Sequence, residues 1–212
     1  GVETMQNAFD ALCGFVERGE EIAVVTGPAG TGKSLLCQKL AGEYQHEFRT
    51  ACLANGNFGD RRSLLQAVLY ELGRPYVGLD EQELRLELTS ALNAAIRRTK
   101  GVLLIVDEAH LAERCVLDEI RSMTNLSRDG LPLVRVVLSA QLQIEETLAA
   151  PEFDAFNQRI FAHVTLETIS RAESLEYIDF RLEWAGARRD DLFTLEAANL
   201  IAACAQRRSM FG

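Results

Sequence analysis

Gly27-Pro28-Ala29-Gly30-Thr31-Gly32-Lys33-Ser34 meets the G-x-x-x-x-G-K-[ST] phosphate-loop pattern at every required position. Immediately before it, Ile22-Ala23-Val24-Val25-Thr26 is a short apolar, β-branched run, as expected for a strand buried on both sheet faces. Immediately after it, Leu35, Leu36, Lys39 and Leu40 continue in a helical pattern. This strand, loop and helix order separates a phosphate loop from an ordinary glycine turn. Glycines at 27, 30 and 32 let the backbone curl, so that successive N–H groups face an anion at the positive end of the following helix. Lys33 is then expected to reach β- and γ-phosphates and Ser34 to ligate Mg²⁺, with residues 27–35 forming the nucleotide cradle: Gly27, Pro28, Ala29, Gly30, Thr31, Gly32, Lys33, Ser34 and Leu35.

The second anchor lies further along. Val102-Leu103-Leu104-Ile105-Val106 is the most apolar run in the chain and ends in Asp107-Glu108-Ala109-His110. An aspartate at the carboxyl end of a buried parallel strand sits beside the phosphate loop and can hold the hydration shell of Mg²⁺. Glu108 can orient the attacking water or take its proton. Two buried carboxylates facing no metal would be costly, which favours this reading over a purely structural one. His110 either caps or packs locally or joins the chemistry. Leu133 to Leu138 reads as a fourth strand ending in Ser139-Ala140-Gln141, and Gln141 is preferred over Ser139 as the group touching the γ-phosphate. The alternative is a strand-end residue that only bonds a neighbouring loop.

Strands are further expected at 48–54 and 161–166, with Arg159 just before the latter. Helices are expected at 4–18 with Thr4 as its cap, from the phosphate loop to 45, and at 61–72, 80–98, 113–126 and 142–148. The first of these is expected over the edge of the nucleotide site. From Ser170 the pattern turns wholly helical, opening with the capping box Ser170-x-x-Glu173 and resuming at Thr194. The expected organisation is an α/β nucleotide-binding core over 1–168 and a small helical lid over 169–212.

The 212 residues carry a formal net charge of −9, with 48% hydrophobic and 25% charged residues. That length suits one α/β core plus an accessory unit, at roughly 100–200 residues per domain. The acidic balance disfavours nucleic acid except through local basic clusters such as Arg61-Arg62, or Arg97-Arg98 with Lys100. Such clusters also arise as solvated helix ends. Five cysteines without C-x-x-C pairs read as small buried hydrophobes in a reducing compartment. No apolar stretch approaches the ~20 residues of a membrane span. The chain is expected to be cytoplasmic, and to be a piece of a longer protein.

Taken together, the strand-borne phosphate loop, the Asp107-Glu108 pair, the polar fourth-strand end, Arg159 and the helical tail resemble an AAA+ ATPase. Within AAA+ the chain is similar to the ATPases of the general secretion pathway A, or ExeA, type and to related transposition ATPases. The segments that carry this likeness are Val25-Thr26-Gly27, Leu104 to His110, Val137 to Gln141, Asn157-Gln158-Arg159-Ile160 and Phe193-Thr194-x-Glu196-Ala197. The resemblance implies a five-stranded parallel sheet with a lid, ATP and Mg²⁺ as ligands, and hydrolysis of the β–γ phosphoanhydride. It also implies a homo-oligomer in which Gln141 is a first sensor, Arg159 a finger reaching a neighbouring subunit, and Asn55 a restraint on Glu108. Secretion machinery at the cytoplasmic face of the inner membrane is the implied partner. An ATP-controlled DNA-binding protein of transposition is the runner-up, and a weakly hydrolysing nucleotide-binding scaffold is the rival from another class. One family segment is altered: where a Gly-Gly-x-Pro-Arg second sensor belongs, this chain reads Ala205-Gln206-Arg207-Arg208-Ser209-Met210, without the glycine pair or proline and with Arg207 or Arg208 as the candidate substitutes.

Overall fold

A computed structural model describes residues 2–168 continuously and, beyond them, only Leu175, Asp179, Leu182, residues 192–194, Glu196, Ala197, Leu200 and Ile201. The expected lid therefore lies outside the described residues, apart from one capping bond in which the Ala197 N–H donates to Thr194 Oγ1 (3.2 Å).

The chain begins with α1 (Val2–Arg18), β1 (Ile22–Thr26), α2 (Lys33–Tyr44) and β2 (Arg49–Leu53). Two helices, α3 (Arg61–Glu71) and α4 (Glu81–Ala95), precede β3 (Val102–Val106). Then come α5 (Arg114–Thr124), the small hairpin of β4 (Ser127–Arg128) and β5 (Leu131–Pro132), and β6 (Val134–Ala140). The elements α6 (Gln143–Leu148), α7 (Asp154–Asn157) and β7 (Ile160–Thr165) complete the described core. The sheet is five-stranded and wholly parallel, in the order β2-β3-β6-β1-β7. Every residue of β1, β3 and β6 is buried, which is why β1 and β3 read as unbroken apolar runs and β6 is interrupted only by Arg135 and Ser139, while the edge strands β2 and β7 alternate.

Two apolar clusters cover the sheet. On one face α3, α4, α5 and α6 pack through Leu64, Leu65, Leu84, Leu117, Ile120 and Ile144. On the other, α1 and α2 pack through Leu12, Phe15, Leu36 and Leu40. Local chemistry sets the helix starts: Asp60 accepts from the Ser63 N–H (2.7 Å), and Asp80 with Glu83 forms a reciprocal capping box. Thr4 does not cap α1, because helical geometry already runs from Val2 and places Thr4 inside the first turn. The Ser127 to Gly130 turn is the tip of the β4–β5 hairpin, with Asp129 at φ 53° and Gly130 at φ 80°, the doubly left-handed geometry that Asp-Gly favours.

Both arginines of the first basic cluster bond to backbone carbonyls, Arg61 half-buried and Arg62 at the surface. Arg61 Nε donates to the Cys115 carbonyl (3.3 Å) and lies 3.9 Å from Glu119 Oε2, and Arg62 donates to the Leu79 carbonyl (2.9 Å). Lys100 pairs with Glu47. Glu119 is itself only 5% exposed and accepts two bonds from Arg85 at 3.0 and 2.6 Å, tying α5 to α3 and α4. Glu119→Ala should lower unfolding free energy by about 1–2 kcal/mol in urea melts. That is less than a fully buried pair would cost, because both arginines can turn to water.

Candidate functional site: a nucleotide cradle at the carboxyl end of the sheet

β1 runs into the phosphate loop, and α2 starts as the loop ends. Gly27, Gly30 and Gly32 all have positive φ (153°, 79° and 92°). At Gly27 a Cβ would stand 2.4 Å from the Leu166 carbonyl oxygen, so the chain leaving β7 closes over the loop only because no side chain is there. Gly32 offers α2 no side-chain cap, which leaves the first-turn N–H groups available to an anion. Met5 of α1 packs directly on Gly32, placing that helix at the edge of the cradle as its apolar stripe suggested.

Lys33 is 6% exposed and donates to the carbonyls of Gly27 and Pro28, both at 2.8 Å. Burial pushes its pKa down, against the opposing attraction of Glu108 and then Asp107. The ammonium thus lies in the loop, bonded to neutral carbonyls, within electrostatic reach of both carboxylates. Thr31 donates to the Pro28 carbonyl (2.9 Å) and braces the same turn. Leu35 projects from α2 at 63% exposure beside the loop.

The strand order places β6 between β1 and β3, and the register decides what meets. Leu138 pairs with Val106 on one side and Val24 on the other, so Ser139 stands level with Asp107. Ser139 Oγ donates to Asp107 Oδ1 (2.6 Å), Ser34 Oγ donates to Asp107 Oδ2 (2.5 Å), and the Glu108 N–H donates to Oδ1 (2.9 Å). Ser139, set second to Gln141 on sequence alone, is the residue that holds the aspartate. It lies inside β6, which runs on to Ala140.

Glu108 adopts the left-handed region, φ 51° and ψ 36°, an uncommon conformation for a residue with a Cβ. Its peptide is pressed against Gly56, where a Cβ would lie 2.7 Å from the Glu108 carbonyl oxygen. Its Oε2 lies 3.4 Å from His110 Nε2. Asn55 Oδ1 accepts from the Asn57 N–H (2.9 Å), and the basic side chain that stands beside the Glu108 carboxylate is His110. Neither Asp107 nor Glu108 is buried, Glu108 being 40% exposed, and the desolvation argument made for the pair from sequence does not apply. Both lie past the buried end of β3, where the sheet opens to solvent.

Gln141 follows β6 directly and shares this end of the sheet; its N–H donates to His110 Nδ1 (3.3 Å). Arg159 does not. It stands at the amino end of β7, paired with Glu21 at the amino end of β1 (2.6 Å), a strand length of ~16 Å from the loop.

The donor set fits the ligands that the motif implies. A buried ammonium and uncapped helix N–H groups suit phosphate, and an adjacent hydroxyl and carboxylate are hard oxygen donors. Among the described residues no cluster of three or more His, Cys, Asp or Glu side chains is placed to hold a metal. Mg²⁺ is ordinarily held by one or two carboxylates with waters and substrate phosphates, for which Ser34 and Asp107 suffice.

Residues 16–148 match the family model described as AAA domain. The chain belongs to the AAA domain family. It is 31% identical over 172 residues to general secretion pathway protein A of Aeromonas hydrophila, an alignment covering 81% of this chain and 31% of that protein. The chain therefore spans about a third of that relative's length. Among solved structures it is similar to the Aeropyrum pernix ORC2 protein in an ADP form, with TM-score 0.68, 16% identity, and coverage of 97% and 57% of the two chains. The Aeropyrum pernix ORC1 protein in complex with DNA gives TM-score 0.71, 18% identity, and coverage of 97% and 54%. A RuvB variant of Thermotoga maritima gives TM-score 0.58, 18% identity, and coverage of 95% and 56%. At these identities the structures bear on the fold, and they agree on the α/β sandwich of an AAA+ P-loop ATPase.

Proposed function

We propose that this AAA domain binds ATP with Mg²⁺ and hydrolyses its β–γ phosphoanhydride, and that the longer protein uses the nucleotide state to drive or regulate assembly of a larger complex. The observation that carries the reading is the convergence of Lys33, Ser34, Asp107 and Glu108 at the carboxyl ends of β1 and β3, with Ser139 of β6 locking Asp107 between them.

The phosphate loop N–H groups and Lys33 bind and orient the β- and γ-phosphates, exchanging the two carbonyl contacts of the ammonium for anionic ones. Ser34 and Asp107 are the residues that would hold Mg²⁺, which supplies neutralisation of phosphate charge when bound. Glu108 orients a water towards the γ-phosphorus and accepts its proton as the phosphorus–oxygen bond to ADP breaks. The products are ADP and inorganic phosphate. Gln141 contacts the γ-phosphate from the end of β6, and the exposed Leu35 contributes an apolar edge to the nucleotide site.

Arg159 serves a neighbouring copy in this reading. It is too far from its own loop to act there, and releasing it from Glu21 would present a guanidinium at a surface that a second subunit can meet. The 31% identity to a general secretion pathway protein supports a secretion apparatus as the partner, with the domain at the cytoplasmic face of the membrane. The bonds of Arg61 and Arg62 to the Cys115 and Leu79 carbonyls compete with their use on DNA.

Turnover per mole measured over rising protein concentration tests the shared site. It should climb steeply, and Arg159→Ala should hold it at the dilute-protein value, a loss of 10-fold or more given the 10³–10⁵ that such arginines supply in related enzymes. A flat concentration dependence with an unaffected variant would refute the oligomeric site. Stimulation by double-stranded DNA, fading steeply with salt, would replace the secretion reading by the transposition one.

A further inference from the structure

His110 has no part in the steps above, yet it is only 10% exposed and joins two strand ends. Its contacts fix its tautomer. The Gln141 N–H donates to Nδ1, so Nδ1 carries no proton and the ring N–H is on Nε2, the nitrogen 3.4 Å from Glu108 Oε2. Among the described residues the imidazole is the one basic side chain set against that carboxylate; in this neutral tautomer it makes no ion pair, and the approach is not yet aligned as a hydrogen bond. The Glu108 backbone is held separately, by its N–H on Asp107 and by Gly56 against its carbonyl. The end of β6 and its extension thus serve the two carboxylates differently: Ser139 binds Asp107 directly, and the Gln141 amide holds the imidazole that stands beside Glu108.

We propose that His110 is a positioning residue for hydrolysis: held through Nδ1 by the amide at the end of β6, it keeps Nε2–H beside Glu108, so that a small turn of either side chain closes the bond that aims the carboxylate. A displacement of the Gln141 segment by bound γ-phosphate is then passed to Glu108 through one ring. This rests on the reading of Glu108 as the group that accepts the proton of water.

The test compares His110→Ala, His110→Gln and His110→Asn with the unsubstituted chain in kcat, KM and affinity for a fluorescent ATP analogue. Ala should lower kcat about 10- to 100-fold, as misplacing a reacting group does, with KM and affinity within about twofold. Gln places its amide nitrogen near the position of Nε2 and should recover kcat to within about threefold of the starting chain. Asn can serve only the Gln141 N–H and should stay with Ala. Unchanged kcat in all three, a parallel loss of nucleotide affinity, or rescue by Asn in place of Gln would overturn the proposal. Nitrogen NMR of the nucleotide-free chain gives a readout independent of turnover: an Nε2–H tautomer at His110 is expected, and an Nδ1–H tautomer would overturn the proposal even if a variant fails to fold. An unsubstituted chain that binds but never cleaves ATP would defeat the hydrolase reading. Turnover abolished by Glu108→Gln but indifferent to every His110 variant would defeat this inference alone.

Discussion

Glu108→Gln should reduce ATP turnover by about 10²–10⁴-fold while leaving nucleotide affinity within a few-fold of its starting value. The substitution keeps the length and shape of the side chain and removes only its basicity. The backbone features at this residue do not depend on the carboxylate: the left-handed φ of 51°, the N–H bond to Asp107 and the contact with Gly56 all survive the change. Lys33, Ser34 and Asp107 are likewise untouched, so the cradle remains formed. Turnover by phosphate release, set beside equilibrium binding of an ATP analogue, separates the two effects. A variant that loses binding and turnover together would place Glu108 in the cradle and not in the chemistry.

Lys33→Met should weaken ATP binding about 100-fold and remove the alkaline pH dependence of stability that Lys33 gives the nucleotide-free chain. The first figure follows from losing charge-assisted bonds to phosphate, on the order of 2–3 kcal/mol. The second effect arises because the folded chain disfavours the ammonium: burial lowers its pKa, only partly offset by Glu108 and Asp107. Methionine carries no charge to desolvate and no proton to titrate, and it leaves the Gly27 and Pro28 carbonyls without their donor. The pH dependence follows from the same shift. The folded chain releases the Lys33 proton at lower pH than the unfolded chain does, so the unfolded state binds more protons in the window between the lowered folded value and the ordinary lysine range. Within that alkaline window this group makes the chain more stable as pH rises, and Lys33→Met should erase the increment. Urea melts at a series of alkaline pH values measure it directly. The phosphate loop thus holds in readiness a charge that only an anion fully satisfies.

The sheet and its anchors were legible because each rests on a local signal. Ile22–Thr26 and Val102–Val106 are unbroken apolar runs, and being buried on both faces of a parallel sheet leaves such strands no polar side to show. The loop glycines announce their own backbone geometry. What escaped sequence reading is set by register and by contacts across the fold. Nothing near Ser139 in the chain indicates that it stands level with Asp107; that follows from β6 pairing with both β1 and β3. The His110 bridge spans 31 residues to Gln141, and Gly56 is required by a peptide 52 positions away, so neither has a local signature. The expectation that Asn55 restrains Glu108 came from family likeness, whereas the side chain itself closes a turn on Asn57. The exposure of Asp107 and Glu108 was misjudged for a related reason: an apolar run tells where a strand is buried, not how soon past its end the chain meets water.

The central claim is that the phosphate loop, Ser34, Asp107 and Glu108 form one site for Mg²⁺-dependent cleavage of ATP. The most direct measurement is phosphate release from ATP under single-turnover conditions at high protein concentration, with Mg²⁺ and with the metal chelated, for the unsubstituted chain and Glu108→Gln. The result expected is release that requires Mg²⁺ and is abolished by the substitution. Saturating ATP binding with no phosphate released by the unsubstituted chain, or release that persists undiminished in Glu108→Gln, would contradict it.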